Sequence, residues 1–267
     1  MHNVVMSNSA AVMINGALVS DVPPSVVLDD GLVRGDGVFE GMRQYGRRVR
    51  TVDAHLGRLE RSATTIMLPF DRQLLAGELA EFSRATAEPD CAIRLMLTRG
   101  GQRIFREEPL PAPAASWRLQ PVEHRVTPLL TASKTLSYAA NMQANRLAKQ
   151  AGCDEALFIR ADDRAVLEAP TSSFCWIEGE TVVFPPLELG VLDSLTRRLV
   201  VEACETRTRT MPVDELAGTD GALLVSTVME ARPIREVAGV ATFDPESSAV
   251  QRVVTALAEI TRARLEP

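Results

Sequence analysis

The chain has 267 residues, 46% apolar and 24% charged, with a net charge of −6 and a pI near 5.3. This composition excludes disorder and collagen-like or coiled-coil structure, no run of about 18 uncharged apolar residues suits a membrane-spanning helix, and the acidic balance argues against nucleic acid or an anionic membrane as partner. The length suits one or two domains at roughly 150 residues each.

The N-terminus, MHNVVMSNSA, lacks the basic-then-apolar order of a signal peptide. Ala11 to Val19 reads as a hairpin, with Asn15-Gly16 as the turn between apolar runs. The stretch GLVRGDGVFEGMRQYG follows. Its GxGxxxG spacing departs from the dinucleotide fingerprint, and VFEGMRQY reads as a strand after a tight turn. Asp53 is placed to cap a helix over 54–67, with Leu56, Leu59, Ala63 and Ile66 on one apolar face and Pro69 beyond its end. A second helix is expected over 72–86.

Strands are expected over 92–98 and 117–122. Between them, the stretch after Arg99-Gly100-Gly101 reads as a loop carrying Arg103 and Arg106. The Pro/Ala-rich run at 109–115 reads as a surface loop. The domain boundary is expected later: a small α/β domain over 1–123, a linker over 124–130 and a larger domain over 131–267. Helices follow at 138–151, 194–205 and 249–264, with short strands at 156–159, 165–167, 173–177, 181–184 and 222–226. Mixed helices and strands without regular βαβ alternation point to an α+β fold.

Chemistry-bearing residues are sparse. The histidines are His2, His55 and His124, too few for a histidine-rich metal site or relay, and no metal-ligand spacing occurs. Four cysteines lie far apart without a CxxC pair, which suits neither zinc nor a disulfide framework and fits a reducing cytoplasm. Of 29 basic residues only Lys134 and Lys149 are lysine. Arginine keeps its proton in proteins, so an amine nucleophile has two side-chain candidates. Lys149 sits among polar helical neighbours and reads as a surface charge. Lys134, in TASKTLSYAAN, is flanked by small and apolar residues, where desolvation would free its amine. Arg58, between apolar helix positions, could hold an anion. Ser194-Leu195-Thr196-Arg197 opens a helix, whose N–H groups suit a phosphate.

These segments together resemble the class IV, or fold type IV, pyridoxal-phosphate enzymes, which include branched-chain aminotransferases, D-amino-acid aminotransferases, (R)-amine transaminases and aminodeoxychorismate lyases. RGDGVFEGMRQY, HLGRLERSA, SKTLSYAANMQANRLAKQAGCDEALFI, VLEAPTSSFCWIEGETVVFPP, GVLDSLTRRLV and LLVSTVMEARPI resemble the family's motifs in the family's order. The resemblance implies a two-domain homodimer whose larger domain has a barrel-like sheet and carries the Schiff-base lysine. It makes Lys134 that lysine and proton carrier, and sets Glu168 on the pyridine nitrogen. Tyr138 falls on the ring oxygen, and Arg58, Thr196, Thr227 and the Leu195 backbone on the phosphate. Arg34, Phe39, Arg103, Arg106 and Val228 fall at substrate-binding positions, with one of the arginines available to a carboxylate.

Departures from the family pattern are Ser173-Phe174-Cys175 where Asn often precedes Leu-Phe, Phe184 for the usual Thr, and Ser194 for the usual Gly. The implied activity is amino transfer between an amino acid and a 2-keto acid by a ping-pong route. The alternative is pyruvate elimination from aminodeoxychorismate.

Overall fold

The computed structural model describes residues 10–21 and 24–265; the N-terminal segment with His2 lies outside them. The chain divides into two units, one running to Leu110 with Ser133–Ser137 and the chain end from Leu265, the other comprising Pro111–Ala132 and Tyr138–Arg264.

In the first unit β1 (Val12–Ile14) and β2 (Ala17–Leu18) form the expected hairpin. Asn15 and Gly16 take φ of 50° and 81°, the left-handed pair that a two-residue turn of this hand requires. Two single-turn helices, α1 (Pro24–Val27) and α2 (Asp30–Val33), lead to the long strand β3 (Gly37–Tyr45) and short β4 (Arg48–Val49). Helices α3 (Val52–Thr65) and α4 (Arg72–Ala85) follow, then β5 (Cys91–Thr98) and β6 (Arg103–Glu108). The strands form one antiparallel sheet in the order β2-β1-β6-β5-β3-β4. Val38, Met42, Ile93, Leu95 and Phe105 point to the side of α3 and α4 and share a core with Leu56, Leu59, Leu75, Leu79 and Phe82.

Two expectations are corrected here. Helix α3 starts after Thr51, which has φ of 51° and makes no side-chain cap bond. Asp53 lies inside the first turn, where its charge still suits the helix dipole, and it pairs with Arg72 at 2.6 Å. The stretch expected to be a loop is strand β6, so Arg103 and Arg106 point to opposite faces of a sheet.

In the second unit the elements are β7 (Trp117–His124), α5 (Ala139–Gln150), β8 (Glu155–Arg160), β9 (Ser173–Glu178), β10 (Thr181–Phe184), α6 (Leu195–Ala203), β11 (Thr206–Thr208), β12 (Gly221–Ser226), β13 (Glu230–Val237), β14 (Ala241–Thr242) and α7 (Ser248–Ala263). The sheet order is β11-β10-β9-β12-β13-β7-β8, with β14 on β13. Leu157 and Ile159 of β8 share a core with Trp176 of β9 and Val183 of β10. Strands near opposite ends of the order thus meet on one side, so the sheet curls, as the barrel-like expectation requires. The alternate residues Cys175, Ile177, Leu223 and Val225 pack on the other side against Leu199 of α6 and Val250, Val253 and Leu257 of α7. Both faces are buried, which is why β9 and β12 read as unbroken apolar runs. The stretch at 165–167 makes only isolated bridges, Ile159↔Val166 and Ala165↔Pro212.

The division between units also differs from the sequence expectation. The transition falls at Leu110–Pro111, inside the Pro/Ala-rich run, because β7 pairs with β8 and β13. Lys134 lies with the first unit, because its segment hydrogen-bonds along β3: Phe39 N–H donates to Lys134 C=O at 2.9 Å and Leu136 N–H to Gly37 C=O at 2.8 Å. Among the described residues no helix is long and apolar enough to cross a membrane.

Candidate active site

In the first unit the site is built on β3, α3 and the segment 133–137. Alternation along β3 sends Phe39 away from the helices and Glu40 toward them. Lys134 is half-buried, and its Nζ stands 4.3 Å from the centre of the Phe39 ring. The Arg94 guanidinium of β5 lies 4.9 Å from the same ring. Arg94 also donates to Glu108 from Nε and Nη2, at 2.7 and 3.0 Å.

On the helix side Glu40 is fully buried. Arg58 donates to it from Nε and Nη2, both at 2.7 Å, and His55 Nδ1 lies 2.8 Å from the same carboxylate. Burial pushes the Glu40 carboxyl up, but the Arg58 charge and the hydrogen bonds from Arg58 and His55 overcome it and hold the pKa at about 2. Burial pushes His55 down against the pull of Glu40. A neutral imidazole then donates from Nδ1, and its Nε2 is buried without a hydrogen bond. Glu40 takes the Nε/Nη2 edge of Arg58. The Nη1/Nη2 edge of that fork is still able to receive an anion.

Two of the other first-unit candidates, Arg34 and Arg103, face acids. Arg34 ends α2, exposed and 3.6 Å from Asp30. Arg103 points to the helix side and donates to Glu78 of α4 at 2.9 Å. Arg106 is exposed on the opposite face, directly across from Arg94.

In the second unit Ser194 caps α6 by accepting from Arg197 N–H at 3.3 Å. The first N–H groups of a helix have no partner within it; Leu195 opens this one, and Thr196 beside it is fully buried. Arg197 donates from Nη1 to Pro185 C=O at 3.0 Å and lies over the Phe184 ring. Thr227 is buried and Val228 half-buried in the turn from β12 to β13. Glu168 is half-buried and accepts from Leu192 N–H at 3.0 Å. Two residues on, Pro170 C=O accepts from the Tyr138 hydroxyl and from Asn141 Nδ2. Tyr138, the residue before α5, and Glu168 are thus placed by one corner of the second unit.

Sequence reasoning passed over Glu40, Ser62 and Arg94. The available signal was polarity out of place: an acid on the apolar side of β3, and His55 and Arg58 three apart on a buried helix face.

The donor set suits one kind of ligand. Each unit, taken by itself, holds groups of the kinds that bind a phosphorylated pyridine aldehyde: in the first a primary amine and an arginine with an open edge, in the second a capped helix start, buried threonines and a carboxylate.

Comparison with known proteins agrees. Residues 37–237 match the family model described as Amino-transferase class IV. A putative branched-chain-amino-acid aminotransferase of Methanocaldococcus jannaschii is 28% identical over 258 residues, covering 85% of this chain and 88% of that protein. A bifunctional aminodeoxychorismate lyase / D-amino acid transaminase of Mycobacterium tuberculosis is 29% identical over 265 residues, covering 85% and 91%. The PLP-bound structure of a hypothetical aminotransferase from Mycobacterium tuberculosis superposes with a TM-score of 0.85 at 25% identity, covering 96% of this chain and 99% of that one.

Proposed function

Because the chain belongs to the class IV aminotransferases, a pyridoxal-phosphate-dependent enzyme family of α+β, type IV fold, we propose that it moves an amino group between an amino acid and a 2-keto acid by a ping-pong route. The observation that carries this reading is Lys134, a half-buried amine held over Phe39, in a chain whose other lysine, Lys149, is exposed on α5.

The cofactor supplies an aldehyde that holds the amino group and a ring that accepts electrons. The chain supplies the rest. Lys134 Nζ takes the proton from the substrate Cα and returns one in the second half-reaction. The Glu168 carboxylate holds a proton on the pyridine nitrogen, and the Tyr138 hydroxyl serves the ring oxygen. Arg58, Thr196, Thr227 and the Leu195 N–H hold the phosphate. Phe39 and Val228 shape the substrate pocket, in a homodimeric, cytoplasmic enzyme.

The substrate carboxylate falls to the face of the first sheet that is turned away from α3 and α4. Arg94 and Arg106 are direct cross-strand partners there, and like charges so placed repel unless an anion lies between them. Arg106 is exposed and, among the described residues, has no carboxylate partner such as Arg94 has, which makes it the stronger candidate; Arg103 and Arg34 already face acids. Arg106→Ala is expected to raise KM for the amino donor about tenfold with a smaller change in kcat. An unchanged KM removes Arg106 from the site.

One observation favours a second reading: a relative that unites lyase and transaminase activity. The lyase would expel pyruvate from aminodeoxychorismate with no keto-acid acceptor. Mixing the cofactor-loaded protein with L- and D-amino acids and (R)-amines, in single turnover, decides between them. Conversion of the visible absorbance band by one subset establishes the transaminase and its handedness. A stable band, with acceptor-independent release of pyruvate from aminodeoxychorismate, establishes the lyase.

A further inference from the structure

Ser62 lies inside α3, one turn after Arg58, and is 1% exposed. The helix itself does not call for serine there. Alanine is the better helix former, and a buried hydroxyl costs free energy unless it is bonded.

The Ser62 hydroxyl is used twice. It donates to Arg58 C=O at 3.1 Å and accepts from Lys134 N–H at 3.1 Å. The first bond is ordinary for a helical hydroxyl: Thr64 and Thr65 make it to Glu60 and Arg61 on the exposed side of the same helix. The second spans 72 residues of sequence.

That second bond completes a clamp. Beyond Lys134 the chain is fixed by β3, through Phe39 N–H on Lys134 C=O and through the Val38↔Thr135 bridge. Ahead of Lys134 the peptide group is fixed by Ser62. With both peptide groups held, the direction of the Lys134 side chain is set by the backbone.

We propose that Ser62 is a positioning residue for Lys134. Its hydroxyl orients the peptide group before the lysine and, through Arg58 C=O, ties the lysine's placement to the helical turn that bears the phosphate-binding arginine. The role rests on the reading of Lys134 as the cofactor-binding lysine.

The test compares Ser62→Ala, Ser62→Thr and Thr65→Ala in two measurements. The first is hydrogen exchange of the Lys134 amide in the cofactor-free protein. The second is the pH midpoint of the visible band in the cofactor-loaded protein. Ser62→Ala is expected to speed exchange about five- to tenfold, as loss of one hydrogen bond allows, and to move the midpoint by about half a unit or more. Thr65→Ala removes an equivalent helical bond and is expected to move neither. Ser62→Thr restores both, because a helical threonine can make the same backbone bond.

If Ser62→Ala does not fold, Ser62→Cys, with a weaker acceptor in a similar shape, is read in its place. Unchanged exchange and midpoint in the folded variant overturn the proposal, as do equal effects from Thr65→Ala. A wild-type protein that takes up cofactor without a visible band overturns the reading of Lys134 itself. A normal wild-type band indifferent to Ser62→Ala overturns only the positioning role.

Discussion

Lys134→Ala is expected to lower kcat/KM by about four orders of magnitude or more and to abolish the visible band of the cofactor-loaded protein. No other side chain can take over. Arginine does not give up its proton, and Lys149 is exposed on α5. Lys149→Ala is therefore the matched control, with activity and band retained. The folding cost of Lys134→Ala is expected to be small, under about 2 kcal/mol, because the side chain is only half-buried and the clamp on its backbone does not use the amine. Thermal denaturation of the cofactor-free proteins checks this. A Lys134→Ala protein that keeps its melting temperature and its activity would refute the site assignment.

Much of the fold was legible in the sequence where local chemistry and tertiary context agree. Asn15-Gly16 specified its hairpin, and the apolar run of β5 specified a buried strand. The two helices were placed within about two residues, the ordinary uncertainty of such boundaries. Strand β6 was hidden because its buried side carries charge. Arg103 meets Glu78 there, and Glu107, only 4% exposed, accepts from the N–H groups of Ala11, Ala87 and Glu88. An acid that caps backbone groups from inside breaks the alternation that marks a strand. Strand β13 was hidden by Pro233, which normally demotes a strand, and its register shifts between Ile234 and Glu236. The unit division was hidden because strand pairing, not linker composition, decides where Lys134 belongs. Lysine scarcity drew attention to Lys134. No comparable scarcity marked Glu40, an acid whose only sign was its place between the inward-facing Val38 and Met42.

Glu40→Gln is expected to cost about 3–5 kcal/mol at neutral pH, the usual effect of removing one partner from a buried ion pair. The cost should depend on pH. The Glu40 carboxyl is held at about 2, below its ordinary 4.5, so its stabilisation is complete above about 4.5 and is lost as pH falls toward 2. The stability gap between wild type and Glu40→Gln should therefore close over that window. His55 adds a slope of the same sign at higher pH. Its buried imidazole resists the proton that the unfolded chain accepts near 6.5, so stability falls as pH drops below that value in the wild type. Urea denaturation at a series of pH values reads both effects. The combination Glu40→Leu with Arg58→Met separates folding from cofactor binding. Apolar residues of similar volume often replace a buried ion pair without loss, so part of the stability should return, less about 1–3 kcal/mol for leaving the buried His55 Nδ1–H without its acceptor. Cofactor affinity should not return, because the open edge of Arg58 is gone; a weakening of about ten- to a hundredfold is expected. If the double variant is stable and binds pyridoxal phosphate as tightly as wild type, the Glu40–Arg58 pair serves the fold alone, and the phosphate is held without Arg58.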